Sequence, residues 1–193
     1  MKSRHDLVNI IRKTQTLVSV LIFFIVLTFF WNVTDFKIQE IQLSHWGGSK
    51  VKYGWVWNSV VVLLGITTLF NHIFFLYKHT RIKLKKIPYT LFSIVSLSLI
   101  VVGLFNFEQY IIHNIFAYIY FFLYPLSIFT MVYLNRKYVT YNEWLLHLTF
   151  SVIMIVLPLS LIGFFEGMAI SEFIHSIIVS FWNIIIAFKI FID

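Results

Sequence analysis

Apolar and polar positions divide the chain into six long apolar runs joined by shorter polar stretches, at about 14–34, 53–77, 87–107, 111–135, 144–165 and 171–190. Each run is close to the roughly 20 helical residues that cross a bilayer core. Helix is the expected state for all six, because lipid offers backbone N–H and C=O groups no partner and a helix satisfies them within one segment. Pro88 falls in the first turn of the third run, where a missing N–H costs little. Pro125 and Pro158 fall inside the fourth and fifth runs and predict bends there. The first run is longer than a signal-peptide core and ends without a small-residue cleavage motif, so it reads as a retained helix. The longest connection, 35–52, carries Ser44, His45, Trp46, Gly47 and Gly48 and is long enough to fold back over the bundle. The expectation is a single domain spanning 1–193, all-α, with six transmembrane helices in an antiparallel bundle.

Composition narrows this further. Hydrophobic residues make up 60% of the chain and charged residues 12%, which leaves no stretch for a water-soluble domain of useful size. The net charge of +7 resides in short groups beside the apolar runs and not along one face, a pattern of topology signals and not of a nucleic-acid surface. Lys2, Arg4, Arg12, Lys13, Lys78, Arg81, Lys83, Lys85, Lys86, Arg136, Lys137 and Lys189 fall on one side of the six-span topology, against Lys37, Lys50 and Lys52 on the other. That bias predicts both termini in the cytoplasm, a multi-pass protein of the cytoplasmic membrane, and membrane lipids as partners. With no cysteine, disulfides and thiol chemistry are excluded. Nothing in the sequence names a cofactor or an oligomeric state. The middle of every run lacks Asp, Glu, Lys and Arg, which weighs against an ion-coupled transporter and leaves a neutral channel lined by groups such as Asn71 and Asn183.

The candidate chemistry gathers on the outer side. His113 starts the fourth run, Glu166 ends the fifth, His175 lies one turn into the sixth and Asn58 begins the second, all at similar depth, with His45 in the long connection able to fold over them. Ionisable groups near lipid are costly unless paired, so a set at one level is a site candidate. A carboxylate beside histidines can hold a proton, bind a headgroup or take a divalent metal. The alternative is that each group only marks a helix end in the wet headgroup zone. No two histidines stand one turn apart, so no metal site is assigned, and the neighbours Ser44 and His45 carry no triad geometry. His113, Ala117, Tyr120 and Tyr124 share one face of the fourth helix, while Glu108 in the preceding turn reads as a solvated charge. His72, His79 and His147, toward the other side, read as interfacial histidines. Gly65 and Gly103, with Ser93 and Ser96, are spaced for close helix packing.

The segments LSHWGG, YGWVWNSVVVLLG, GLFNFEQYIIHNIFAYIYFF and GFFEG together resemble the six-helix prokaryotic membrane proteins of the 998 domain-of-unknown-function family, itself similar in plan to DRAM, Frag and Sfk proteins. Ser44, Gly47, Asn58, Gly65, Gly103, His113, Ala117, Phe122 and Glu166 carry the resemblance, and Asn106 departs from it where proline would follow the glycine. The resemblance implies six helices with both termini inside and supplies no activity. The leading functional expectation is binding of a lipid or amphiphile in an outer-leaflet pocket around His113, Glu166, His175, Asn58 and His45, against aromatic walls from the second and fourth helices. The alternatives are a membrane-embedded lipid hydrolase, possibly metal-dependent, and an oligomeric channel or membrane-perturbing effector.

Overall fold

A computed structural model describes residues 4–34, 42–79, 86–137, 139–162, 164–165 and 167–188. Six helices follow one another: α1 (Arg4–Val33), α2 (Gly54–His79), α3 (Lys86–Leu104), α4 (Tyr110–Asn135), α5 (Tyr141–Ile162) and α6 (Ala169–Phe188). All six are long and apolar enough to cross a membrane, and the protein is a multi-pass membrane protein. A single 3-10 turn, Leu43–Gly47, precedes α2 and is called the cap segment below.

Each helix packs on its sequence neighbour, and α6 returns to α1 and α2, so the bundle is a ring closed in chain order. From α2 onward short connections dictate this, because a brief turn leaves a helix no choice but to lie beside the one before it. The α2–α3 pair is the tightest. A Cβ on Gly65 would lie 2.6 Å from Ile100 Cγ1, and one on Gly103 would lie 2.8 Å from the Asn58 carbonyl oxygen. Without side chains at those two positions the backbones touch, as their spacing predicts.

The apolar interior has two parts. Phe92, Tyr124, Ile128, Met154 and Trp182 join α3, α4, α5 and α6. Phe23, Phe30, Trp46 and Trp57 join α1, the cap segment and α2. Trp46 stacks on Phe30 at 5.6 Å, meets Trp57 edge-on at 4.9 Å, and donates its indole N–H to Thr34 Oγ1 at 3.1 Å. Burying a large apolar side chain stabilises by roughly 1.5–3 kcal/mol, enough to seat a five-residue turn. The described part of the long connection, from residue 42 on, packs on the bundle, and its anchor is an aromatic residue.

Three of the boundaries that differ from the sequence expectation bear on the site. Helix α1 begins at Arg4 and not near residue 14, which brings Arg12 inside a helix, where it is 2% exposed. Its guanidinium donates to the carbonyls of Ile186 at 3.2 Å and Ala187 at 2.8 Å, in the last turn of α6, where helical carbonyls have no partner of their own. Arg12 thus does more than signal topology, because its long side chain neutralises the negative end of a helix dipole. At the other end, α6 begins at Ala169, so Glu172 is part of its first turn, and α5 stops at Ile162, short of residue 165.

Candidate functional site

The histidines at the cap end are each placed by backbone groups, His113 and His175 by a carbonyl and His45 by an N–H. His113 Nδ1 donates to the Phe105 carbonyl at 2.8 Å, closing the α3–α4 hairpin from the first turn of α4. His45 packs its ring on Phe107 at 3.9 Å and accepts the Gln42 N–H on Nδ1 at 3.2 Å. Asn58 donates to the Gly47 carbonyl at 3.0 Å, and a Cβ at Gly47 would collide with its amide, so the glycine is the residue that lets cap and helix meet. Glu108 is exposed yet accepts from the Ser49 hydroxyl at 2.7 Å and the Ser49 N–H at 2.9 Å. Those two donors, the hydroxyl foremost, hold its carboxyl below the ordinary value of 4.5, with Lys50 adding to the effect. Asn58, His45 and Glu108 together hold the cap segment down, and Asn58 and His45 are not among the residues lining either cavity described below.

His175 has a different task. Pro158 has no N–H for the Met154 carbonyl one turn earlier, and His175 Nδ1 reaches that carbonyl from α6 at 3.4 Å. Ser171 similarly donates to the Pro158 carbonyl at 3.0 Å, and Ser151 to the Pro125 carbonyl at 2.8 Å. Because a carbonyl only accepts, Nδ1 carries the proton and Nε2 presents a lone pair. His175 is 1% exposed, and its Nε2 is buried without a hydrogen-bond partner.

Glu166 lies outside the described residues, as does the side chain of His79. The described carboxylate at this level is Glu172, one turn before His175 on the same face of α6. Its Oε2 accepts the Leu43 N–H at 2.6 Å, and the Ser44 N–H also bonds to the carboxylate. The sequence reading has Glu172 at the start of the sixth run and leaves it out of the candidate site. The available signal was its i, i+3 relation to His175 together with the apolar residues Ala169 and Ile170 before it, which already belong to the helix.

Glu172 stands between two cavities. The larger, about 280 Å³, lies between α4, α5 and α6, with Pro158, Met154 and Phe121 in its wall and Ser171, Glu172 and His175 as its polar lining. Tyr118, Phe122, Ile155, Leu159 and Ile162 at its border are all strongly exposed, so it is a cleft open to the side of the bundle. The smaller, about 100 Å³, is lined by α1, α2, α3, α4, α6 and the cap segment. His113, Ala117 and Tyr120 reach it from α4, the face that helical spacing predicts, and Thr16, Thr67, Ser176, Ser180 and Asn183 give it polar walls. At about 30 Å³ per water in the liquid, this chamber has room for a few small groups.

Deeper toward the chain ends, the polar side chains are packed together. Tyr124 OH lies 3.1 Å from His72 Nε2 and accepts from Asn183 Nδ2 at 3.1 Å, Asn71 donates to Thr16 Oγ1 at 2.7 Å, and Trp182 donates to His147 Nδ1 at 3.1 Å. His72 and His147 are therefore buried among aromatic rings and not interfacial. Among the described residues, no three His, Cys, Asp or Glu side chains come together as a metal-binding group.

Comparison with curated proteins and with solved structures gives no match. A family model described as a protein of unknown function, DUF998, matches residues 16–189, nearly the whole of this six-helix chain, and the protein belongs to that family.

Proposed function

We propose that the protein binds a lipid or similar amphiphile at the cap end of the bundle, with the apolar tail in the cleft between α4, α5 and α6. The excess of basic residues around the chain ends orients that end toward the cytoplasm and the cap end toward the outer leaflet of the cytoplasmic membrane. The observation that carries the reading is the shape and lining of the cleft. Its volume of about 280 Å³ approaches the range of small-molecule sites, its border residues face outward where acyl chains would lie, and apart from the Tyr118 hydroxyl at the border its polar groups are Ser171, Glu172 and His175 on α6. Such a division suits a molecule with one apolar and one polar end. Aromatic contacts come from α4 through Tyr118, Phe121 and Phe122, while α2 is occupied by its packing on α3 and contributes nothing to the cleft lining.

The test is lipid retained through purification in a mild detergent, measured by mass spectrometry. Leu159→Trp and Ile155→Trp fill the cleft from its exposed border and should lower bound lipid by about tenfold, the equivalent of 1.4 kcal/mol, with helicity unchanged by circular dichroism. Equal lipid content in wild type and both variants would rule the reading out.

A further inference from the structure

Several polar side chains in and beside the chamber next to the tail cleft have already committed their hydrogens. Thr16 Oγ1 donates to the Arg12 carbonyl at 2.8 Å, Ser176 to the Glu172 carbonyl at 2.8 Å and Ser44 to Gln42 Oε1 at 3.3 Å. Ser19 gives its hydrogen to the Gln15 carbonyl at 2.8 Å, so the 2.7 Å contact between Ser19 and Thr67 is donated by Thr67. Asn183 commits its amide nitrogen to the Val179 carbonyl at 3.0 Å and to Tyr124 OH. What these groups have left is lone pairs. Asn183 is 5% exposed, and its Oδ1 is buried without a hydrogen-bond partner.

Across Glu172, in the wall of the tail cleft, His175 Nε2 is a second orphaned acceptor. Glu172 lines both cavities, and neither lining contains a Lys or an Arg among the described residues. The arrangement is a carboxylate with unmet acceptors on either side. A phosphate headgroup would meet like charge at Glu172 and find no Lys or Arg among the described lining residues. A primary ammonium brings three N–H donors and a positive charge on a compact group.

We infer that the chamber is a headgroup site for a primary-amine amphiphile, whose ammonium takes Glu172 as counter-charge and Asn183 Oδ1 and hydroxyl lone pairs as acceptors. The inference rests on the amphiphile reading above and adds the class of headgroup. Recognition requires donors as well as charge, so a quaternary ammonium, which has no N–H, is a poor substitute.

The experiment follows thermal unfolding of the full chain, purified in a sugar detergent, by tryptophan fluorescence. Octylamine, octyltrimethylammonium, octanol and octyl phosphate are added at equal concentration. A ligand bound to the folded state alone raises Tm, and octylamine should raise it by about 3 °C more than the other three, as expected when about tenfold tighter binding acts on a chain of this size. Glu172→Gln should abolish that preference, and Ser180→Leu, which fills the chamber from a different wall, should do the same if Glu172→Gln fails to fold. Octyl phosphate or octyltrimethylammonium matching octylamine would overturn the inference, as would the same shift from sodium chloride alone. If all four compounds bind equally and Leu159→Trp removes every shift, the headgroup assignment falls and the amphiphile reading stands. If no compound shifts Tm, or if Leu159→Trp leaves every shift in place, the amphiphile reading falls and the headgroup assignment with it.

Discussion

Near the chain ends, Arg12, Asn71, His72, Tyr124 and Trp182 are buried in side-chain and carbonyl contacts, and none of them lines either cavity. At the cap end, His113, Glu172 and His175 are held just as firmly, by a carbonyl or by backbone N–H groups, yet each borders open space. The two regions use the same residue types, so residue type does not separate structure from binding. Space does. Asn71 Oδ1 and His72 Nδ1 are also orphaned acceptors, but they sit where no ligand can enter. Asn183 Oδ1 and His175 Nε2 belong to residues that line a cavity, and this is the difference on which the proposed binding rests.

The contrast breaks most visibly at Arg12. Removing it strands two carbonyls in the last turn of α6, and hydrogen bonds to charged groups are worth about 1.5–3 kcal/mol each. Arg12→Ala should therefore lower resistance to unfolding in detergent titrations by about 3 kcal/mol, the largest effect here. Arg12→Lys should recover only part of the loss, because an ammonium lacks the planar fork that spans two acceptors.

Tyr124→Phe comes next. It removes the partner of both His72 and Asn183, and side-chain hydrogen bonds between membrane helices average about 0.6 kcal/mol with a ceiling near 1.7. The expected loss is about 1–2 kcal/mol in the same titration, with no change in bound lipid. A loss of lipid equal to that of Leu159→Trp would merge the two regions and remove the distinction drawn between them.

Glu172→Gln sharpens the contrast from the other side. The amide oxygen can still accept the Leu43 N–H, so unfolding should shift by less than about 1 kcal/mol while amine binding is lost. A large stability loss with binding intact would make Glu172 a structural group like Tyr124.

The smallest effect is at Glu108, exposed on the hairpin. Its carboxyl is held below 4.5 in the folded protein, so its contribution is fully present above that value and disappears as pH falls through the lowered folded value. Acid should loosen the cap segment, seen as a change in Trp46 fluorescence below about pH 4.5 and as faster proteolysis near Ser49. Glu108→Gln should flatten that pH dependence and leave amphiphile binding untouched.

Much of this architecture was readable in the residues. Apolar run length predicts six spans, and the spacing of small residues predicts that Gly65 would face a neighbour, as it does against Ile100. Helical periodicity likewise places His113, Ala117 and Tyr120 on one face, and that face lines the chamber. Arg12 was read only as a topology signal and Glu172 was left out of the candidate site, for one reason. Each lies within a few residues of a polar connection, and a charge there looks solvated until the neighbouring element is known. Arg12 is buried because α6 ends beside it, and Glu172 is half-buried because the cap segment, distant in sequence, lays two N–H groups on its carboxylate.

What the sequence determined by itself is the set of properties that depend on one segment at a time. Those are the number of helices, their approximate limits, the glycines of the close pair and the family. What only the tertiary structure decided is which acceptors remain unmet and where space is left beside them. Hydrophobic pattern and helical period describe each helix alone, whereas a cavity and an orphaned lone pair are differences between what several helices offer and what their neighbours take. Ring order, helix rotation and the fold of the cap over Glu172 set those differences, and they arise only when all the elements pack together.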